Sequence, residues 1–319
     1  MPATTPPQSA TRTARSPKPL QPLKGVRILS LALNLPGPAA LMRCRAMGAR
    51  CTKLEPPLPA PAGKAAPKSA AAASSDPMAQ YSLPGYQAMH QGVRTVYANL
   101  KLEAGQKTLQ RELARADVLL TSFRPGALHK LGLDWKGLHA RHPQLCMVAI
   151  VGAPGARADE PGHDLTYMAD NALITGLHLP PTLYADMAGS LLASEAILQA
   201  RLAQLQTQKG VRLDVALSDA AAYLALPRAW GLMGPDSVLG GAHAGYAVYP
   251  CKDGRVALGA LEPHFVQILA QVLGLPEATL AYIGTDAARQ AIADFMAGKT
   301  RRQLEALSKA RDLPLCTLK

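Results

Sequence analysis

From Val26 onward, short apolar runs alternate with longer amphipathic ones. VRILSLAL reads as a buried strand, PGPAALMRCRAMG as a helix that stops at Gly48, and ARCTKLE as a second strand. Further on, RTVYANL reads as a short strand, EAGQKTLQRELARA as a helix and DVLLTSF as a strand. PGALHKLG and WKGLHARH read as short helices and QLCMVAIVG as another strand. Strands alternating with helices predict a parallel sheet of Rossmann-like design. Asp186 then opens a long helical pattern, DMAGSLLASEAILQARLAQLQ, whose small and apolar residues on most faces predict a largely buried helix. VRLDVAL is a strand, and SDAAAYLALPRAWGL is a helix with Ser218 at its N-cap.

GYAVYPCKDGRVALGAL predicts a hairpin turning at Lys252, Asp253 and Gly254, because Asp-Gly suits a tight primed turn. EPHFVQILAQVLG is a helix with Pro263 at its first position. Two more helical stretches and a short strand, DLPLCTL, finish the chain. The expected fold is α/β: a Rossmann-like parallel-sheet large domain over residues 23–216 with a smaller α+β lobe over 217–310. Residues 311–319 are expected to begin a segment returning toward the large domain.

Two stretches lack periodicity. Residues 1–22 are Pro, Thr, Ser and Arg, and predict a disordered tail with no apolar core of a secretory signal. Residues 56–76 are low-complexity and predict a flexible insertion.

The length of 319 residues suits two domains, and 48% hydrophobic with 18% charged residues is a globular composition. No apolar run approaches the ~18 residues of a membrane span, so no membrane partner is expected. Cys44, Cys51, Cys146, Cys251 and Cys316 are scattered and contain no CxxC pair. That argues against a disulfide framework or zinc site and for a reducing, cytoplasmic setting. The remaining histidines show no ligand spacing, so no metal is expected.

The net charge of +12 raises the question of nucleic acid. However, Arg12, Arg15, Lys18 and Lys24 fall in an acid-free start, and the other bases are dispersed without a recognisable nucleic-acid module. No nucleic-acid partner is expected, and a basic excess equally suits a ligand with several phosphates. The first strand-to-helix turn, LALNLPGP, is not a GxGxxG turn, which counts against NAD and FAD.

Against this background GHDLTY (162–167) and YADMAG (184–189) stand out, because both place acids among apolar residues. Buried carboxylates are costly unless paired, hydrogen-bonded or used. Each candidate also has a structural explanation. Asp186 would serve as an N-cap and His163 as a helix-start residue, and Glu262 before Pro263 would complement a helix N-terminus. Arg124 and Lys101 would be solvated charges.

LKGVRILSLALNLPGPAALM, RTVYANLK, ADVLLTSFRPGALHKLGL, PGHDLTYMA, YADMAGSLL, LDVALSDAAAYL, GGAHAGYAVYPCKDGRVALGALEPHF and the final DLPLCTL occur in that order over residues 23–318. Together they resemble the class III CoA-transferase superfamily and, within it, the alpha-methylacyl-CoA racemases. The resemblance implies that His163 and Asp186 are the two catalytic bases. Inverting a carbon beside a thioester carbonyl needs one group to remove the α-proton and another to return it from the opposite face. It implies that the Asp164 backbone N–H, at a helix start, stabilises the enolate oxygen. Glu262 would hold the catalytic histidine in its working tautomer. Arg124 and Lys101 would contact CoA, and Gly162, His163, Asp164, Leu165, Thr166 and Tyr167 would line the thioester side.

No cofactor is implied, since coenzyme A enters as part of the substrate. An acyl-CoA thioester is the expected partner, and a homodimer of interlocked chains the expected assembly. Three departures bear on that expectation. Val93 and Pro56 stand where the family has bases, and the chain stops at Lys319 where relatives continue. The leading expectation is a racemase or epimerase acting on 2-methyl-branched or 2-arylpropionyl-type CoA thioesters. A CoA-transferase using Asp186 through a mixed anhydride and an enzyme–CoA thioester is the alternative. A catalytically weakened acyl-CoA-binding relative is the third. Transferase chemistry needs neither His163 nor Glu262, and their presence favours the racemase.

Overall fold

A computed structural model describes residues 20–57, 74–275 and 283–319. Most of the expected tail and of the expected insertion therefore lies outside the described residues. The chain divides into two compact units, Met1–Leu224 and Ala225–Lys319.

In the first unit six strands, β1 (Arg27–Ser30), β2 (Arg50–Glu55), β3 (Arg94–Tyr97), β4 (Val118–Thr121), β5 (Cys146–Val151) and β6 (Arg212–Ala216), form one sheet in the order β3-β2-β1-β4-β5-β6. Every pairing in it is parallel. Strand periodicity of two sends alternate residues to opposite faces. Val118 and Leu120 join one core with Val148 and Ile150, while Leu119 joins another with Met147 and Ala149. Both faces are thus covered by helices, and β4 and β5 are buried along their whole length. The Rossmann-like sheet expected from the alternating pattern is present.

Helix α1 (Pro36–Ala46) and the long helix α8 (Tyr184–Thr207) cover the first face. Helices α4 (Glu103–Leu113), α5 (Pro125–Lys130) and α6 (Trp135–Arg141) contribute Leu109, Leu113, Leu128 and Leu138 to the other. Helix α8, expected to be largely buried, is buried on one face only. Its small residues Ala185, Gly189, Ala193, Ala196 and Ala200 are buried, while Met187, Leu191, Leu202 and Leu205 are exposed. Small residues permit close approach: a Cβ added at Gly189 would stand 2.2 Å from Leu217 Cδ2. Ile197 is buried on the same side, and Leu192 and Leu198 pack partly against the core.

Helix α9 (Leu217–Ala229) follows β6 with no intervening loop, so Ser218 lies in its first turn instead of capping it. The Ser218 backbone N–H donates to the Gly152 carbonyl at 2.9 Å. Leu217 and Ala221 pack in the first unit's core, which is why the division between units falls inside this helix.

The far end of the expected insertion is not loose. Asp76 caps α2 (Pro77–Tyr81) by accepting the Met78 N–H, and its other oxygen pairs with Lys53 of β2. Lys53, Glu55 and Asp76 are all fully buried. Glu55 accepts from the hydroxyls of Ser74 at 2.9 Å and Tyr86 at 2.7 Å, the latter on α3 (Leu83–Met89). Burial, reinforced by the Lys53 charge, holds the His90 imidazole down to about 4. Neutral His90 donates from Nδ1 to the Tyr86 carbonyl at 2.7 Å and accepts from Lys53 Nζ at 3.1 Å. Buried charges persist when paired and hydrogen-bonded in this way.

The second unit holds an antiparallel sheet, β7 (Tyr246–Cys251), β8 (Gly254–Gly259) and β9 (Leu315–Leu318), in that order. Helix α10 (Pro263–Leu273) and two further helices, Asp286–Ala297 and Arg301–Arg311, pack on it around Val256, Leu258, Val266, Ile292, Met296 and Leu304. The hairpin closes at Cys251↔Gly254, around Lys252 and Asp253. The last residues, expected as a return segment, here pair with β8 in the register Leu318↔Arg255, because Leu313 and Leu315 pack on this unit's core.

Candidate active site

In the sheet order β3-β2-β1-β4-β5-β6 the direction of winding reverses between β1 and β4. In open parallel sheets this places a crevice at the carboxyl ends of the strands. A cavity of about 260 Å³ lies there. Its walls are chain that follows the strands: Leu33, Asn34 and Pro36 after β1, Ser122 and Arg124 after β4, Gly152 after β5 and Leu217 after β6. Glu160, Gly162, His163, Tyr167 and Asp186 also line it.

His163 has extended backbone, φ −142° and ψ 167°, immediately before α7 (Asp164–Asp170). The Thr166 hydroxyl accepts the His163 N–H at 3.0 Å and donates to the His163 carbonyl at 2.8 Å. The backbone is therefore held on both sides while the residue itself is exposed at the cavity.

Asp186 is the third residue of α8, not its cap; the N-cap position belongs to Leu183, which has no side-chain oxygen. Asp164 supplies what Leu183 lacks, its Oδ1 accepting the Asp186 backbone N–H at 3.0 Å. Burial first, and then the adjacent Asp164 charge, pushes the Asp186 carboxyl up to about 6.

Tyr167 is buried, and burial raises its phenol further from ionisation, with Asp186 adding to the rise and Arg124 opposing it. Its hydroxyl lies against two glycines: a Cβ at Gly152 or at Gly162 would stand 2.5 Å from that oxygen. Gly162 in the GHD segment is thus a packing requirement of Tyr167.

Sequence reading missed the β1–α1 turn as part of the site. Asn34 takes a left-handed conformation, φ 63°, which Asn tolerates better than most residues. Its N–H donates to Asp76 Oδ1 at 3.0 Å, and the Leu33 N–H donates to Ser122 Oγ at 3.0 Å. The buried Lys53–Asp76 pair thereby holds one wall of the cavity. The available signal was the position itself, since the turn after the first strand of such a sheet faces the crevice.

Arg124, Gly162, His163, Tyr167 and Asp186 are brought together around the cavity. Asp164 is buried behind them, and Leu165 and Thr166 face outward. Lys101 is exposed on a turn before α4, its N–H donating to Asn99 Oδ1 at 3.0 Å, and it is not part of the cavity wall. Glu262 belongs to the second unit, at the N-cap of α10 ahead of Pro263. Arg124 makes no ion pair or side-chain hydrogen bond among the described residues. Val93, where a base was expected, packs against the first unit's core. Among the described residues no group of three His, Cys, Asp or Glu side chains is placed to hold a metal, and no helix is long and apolar enough to cross a membrane.

Comparison with known proteins gives one set of likenesses. Residues 23–319 match CoA-transferase family III. The chain is 31% identical over 216 residues to a Mycobacterium tuberculosis protein named "Probable fatty acyl-CoA transferase Rv3272", covering 65% of this chain and 53% of that protein. It is 27% identical over 271 residues to the human alpha-methylacyl-CoA racemase, covering 79% of this chain and 65% of the relative. It therefore spans between about half and two-thirds of the length of these curated relatives. A CAIB/BAIF family protein from Brucella suis has the same fold, with a TM-score of 0.74 at 24% identity over 94% of this chain and 85% of that one.

Proposed function

The chain belongs to CoA-transferase family III, and on that premise we propose that its cavity inverts the 2-position of a 2-methyl-branched acyl-CoA thioester by moving a proton between two bases. The observation that carries this reading is that His163 and Asp186 line the same cavity from two separate helix starts. One removes the α-proton while the other delivers a proton to the opposite face, so charge and atoms balance over the cycle. A carboxyl pushed up to about 6 is suited to both roles near neutral pH, because neither its acid nor its base form is scarce.

The enolate that forms between the two steps needs a donor at its oxygen. The Asp164 N–H is free for that role, making no hydrogen bond among the described residues. Arg124, unpaired at the cavity, and Lys101, outside it, are assigned to the phosphates and body of coenzyme A, which enters as part of the substrate. Glu262 is assigned to orienting the His163 imidazole. The test is incubation with a 2-methylacyl-CoA in D2O, following deuterium at the α-carbon by NMR. Exchange is expected; its absence at a concentration where the thioester binds overturns the reading.

A second reading is favoured by the 31% identity to a protein named as a fatty acyl-CoA transferase. In it the Asp186 carboxylate attacks the thioester carbonyl, expelling CoA thiolate and leaving a mixed anhydride. The thiolate then attacks the Asp186 carbonyl, releasing the first acid and leaving an enzyme–CoA thioester for the acceptor acid. Transfer of CoA to a free carboxylate without α-exchange would favour this branch.

A further inference from the structure

Arginines gather at the opposite edge of the large sheet, where the strands begin. Arg27, Arg50 and Arg94 are the first residues of the three adjacent strands β1, β2 and β3. Arg27 and Arg50 are direct register partners, so their side chains leave neighbouring backbones ~4.8 Å apart. Arg45, from the last turn of α1, and Arg115, just past α4, complete a ring around a cleft of about 560 Å³.

Acids offset only part of this charge. Glu112 is the one carboxylate in the cleft lining, and it pairs with Arg94. Asp117 pairs with Arg27 at 3.3 Å. Arg45, Arg50 and Arg115 have no carboxylate partner among the described residues, and the buried Arg45 Nε has no hydrogen-bond partner there. Gly92 makes room for this guanidinium, since a Cβ there would stand 2.9 Å from Arg45 Nη1.

Bases are ordinary at helix C-termini, where they complement the backbone dipole, and that accounts for Arg45. It does not account for arginines opening three neighbouring strands, two of them directly opposite. Guanidinium groups on neighbouring strands repel one another, Asp117 offsets only Arg27 of the directly opposite pair, and a local conflict of this kind is expected at functional sites. We propose that the cleft binds a small phosphate-bearing organic molecule, of the size of a nucleoside diphosphate, at a site separate from the acyl-CoA cavity. Its volume is in the range of small-molecule sites, and guanidinium forks match phosphate oxygens two at a time. The proposal is independent of which reaction the catalytic cavity performs.

Calorimetric titration of the whole chain with pyrophosphate, against sodium chloride of equal ionic strength, tests it. Saturable binding is expected, weakened at least about tenfold, or ~1.4 kcal/mol, in Arg50→Ala/Arg115→Ala. Lys130→Ala, in the last turn of α5 and in neither cavity lining, should leave it within about twofold. Both cleft arginines are exposed, so the fold should tolerate their loss; Arg115→Glu alone, outside the sheet, is the second variant and should weaken binding as well. ADP displacing pyrophosphate with the same dependence on Arg50 and Arg115 supports a free organic phosphate. Binding confined to phosphoinositide-containing vesicles, with none to ADP, would overturn the small-molecule assignment. Heat no greater than with chloride, or unchanged affinity in both cleft variants, overturns the site.

Discussion

The Asp164 carboxylate accepts the backbone N–H of Asp186 at 3.0 Å, across 22 residues of chain. Asp164 directly follows His163, so one hydrogen bond ties the turn carrying the imidazole to the helix carrying the second acid. The same contact places two carboxyl groups side by side, and the Asp164 charge adds to the burial that raises Asp186. Asp164→Asn keeps an oxygen acceptor for the amide and removes the charge. The limb of the pH–rate profile governed by Asp186 should then move to lower pH in the D2O exchange assay. An unmoved limb would show that Asp186 does not govern it.

Removing either proposed base should stop exchange. His163→Ala and Asp186→Asn should each lower turnover at least ~100-fold, the scale of a positioned acid–base group. Circular dichroism on the same samples separates lost chemistry from lost fold. Full turnover in folded Asp186→Asn would leave that residue a purely structural role.

Asp186 should also oppose folding at neutral pH. Its carboxyl is raised from 3.8 to about 6, so between those values the native state binds more protons than the unfolded chain. Stability from this group is therefore present in full below pH ~4, declines as pH rises toward 6, and is absent above. Asp186→Asn should be more stable than the natural chain at pH 8, by at most about 3 kcal/mol at 1.36 kcal/mol per pKa unit, and equal to it near pH 4. Urea unfolding at the two pH values measures the difference. A variant less stable at pH 8 would refute the burial argument.

The Lys53–Asp76 pair should matter to the site as well as to stability. Asp76→Ala removes one of the two buried carboxylates that face the Lys53 ammonium, leaving Glu55 at 3.6 Å, and is expected to cost at most about 3–5 kcal/mol. It also frees the Asn34 amide, whose hydrogen exchange, read by NMR, should accelerate. Adding Lys53→Met together with Glu55→Gln, which leaves no buried charge behind, should restore much of the stability, since neutral replacement of a buried charge group is often tolerated. It should not restore protection at Asn34. Recovery of both would mean that Asp76 holds the turn only through the fold.

Periodicity and turn chemistry along the chain were enough to place the strands and most helices, because both report on neighbours a few residues apart. Pro36 and Gly48 bracket α1 for reasons contained in those residues, and the small hairpin falls where Asp253-Gly254 marks it, although its central residues Lys252 and Asp253 do not take the positive φ of the expected primed turn. GHDLTY and YADMAG were legible as chemistry because acids amid apolar sequence need an explanation, and the family resemblance supplied roles for them. Partnership in space was not legible. Tertiary structure alone decided that Asp164 caps the helix of Asp186, that Asp76 leaves a low-complexity stretch to meet Lys53, and that Arg27 lies opposite Arg50. It also decided that α8 buries Ala185, Ala193, Ala196 and Ile197 while exposing Leu191, Leu202 and Leu205, because only what packs against the helix sets which face can approach closely. A charge's pKa and the cost of its burial follow from groups tens of residues away. Local pattern determines where an element runs, and packing determines what each of its polar side chains meets.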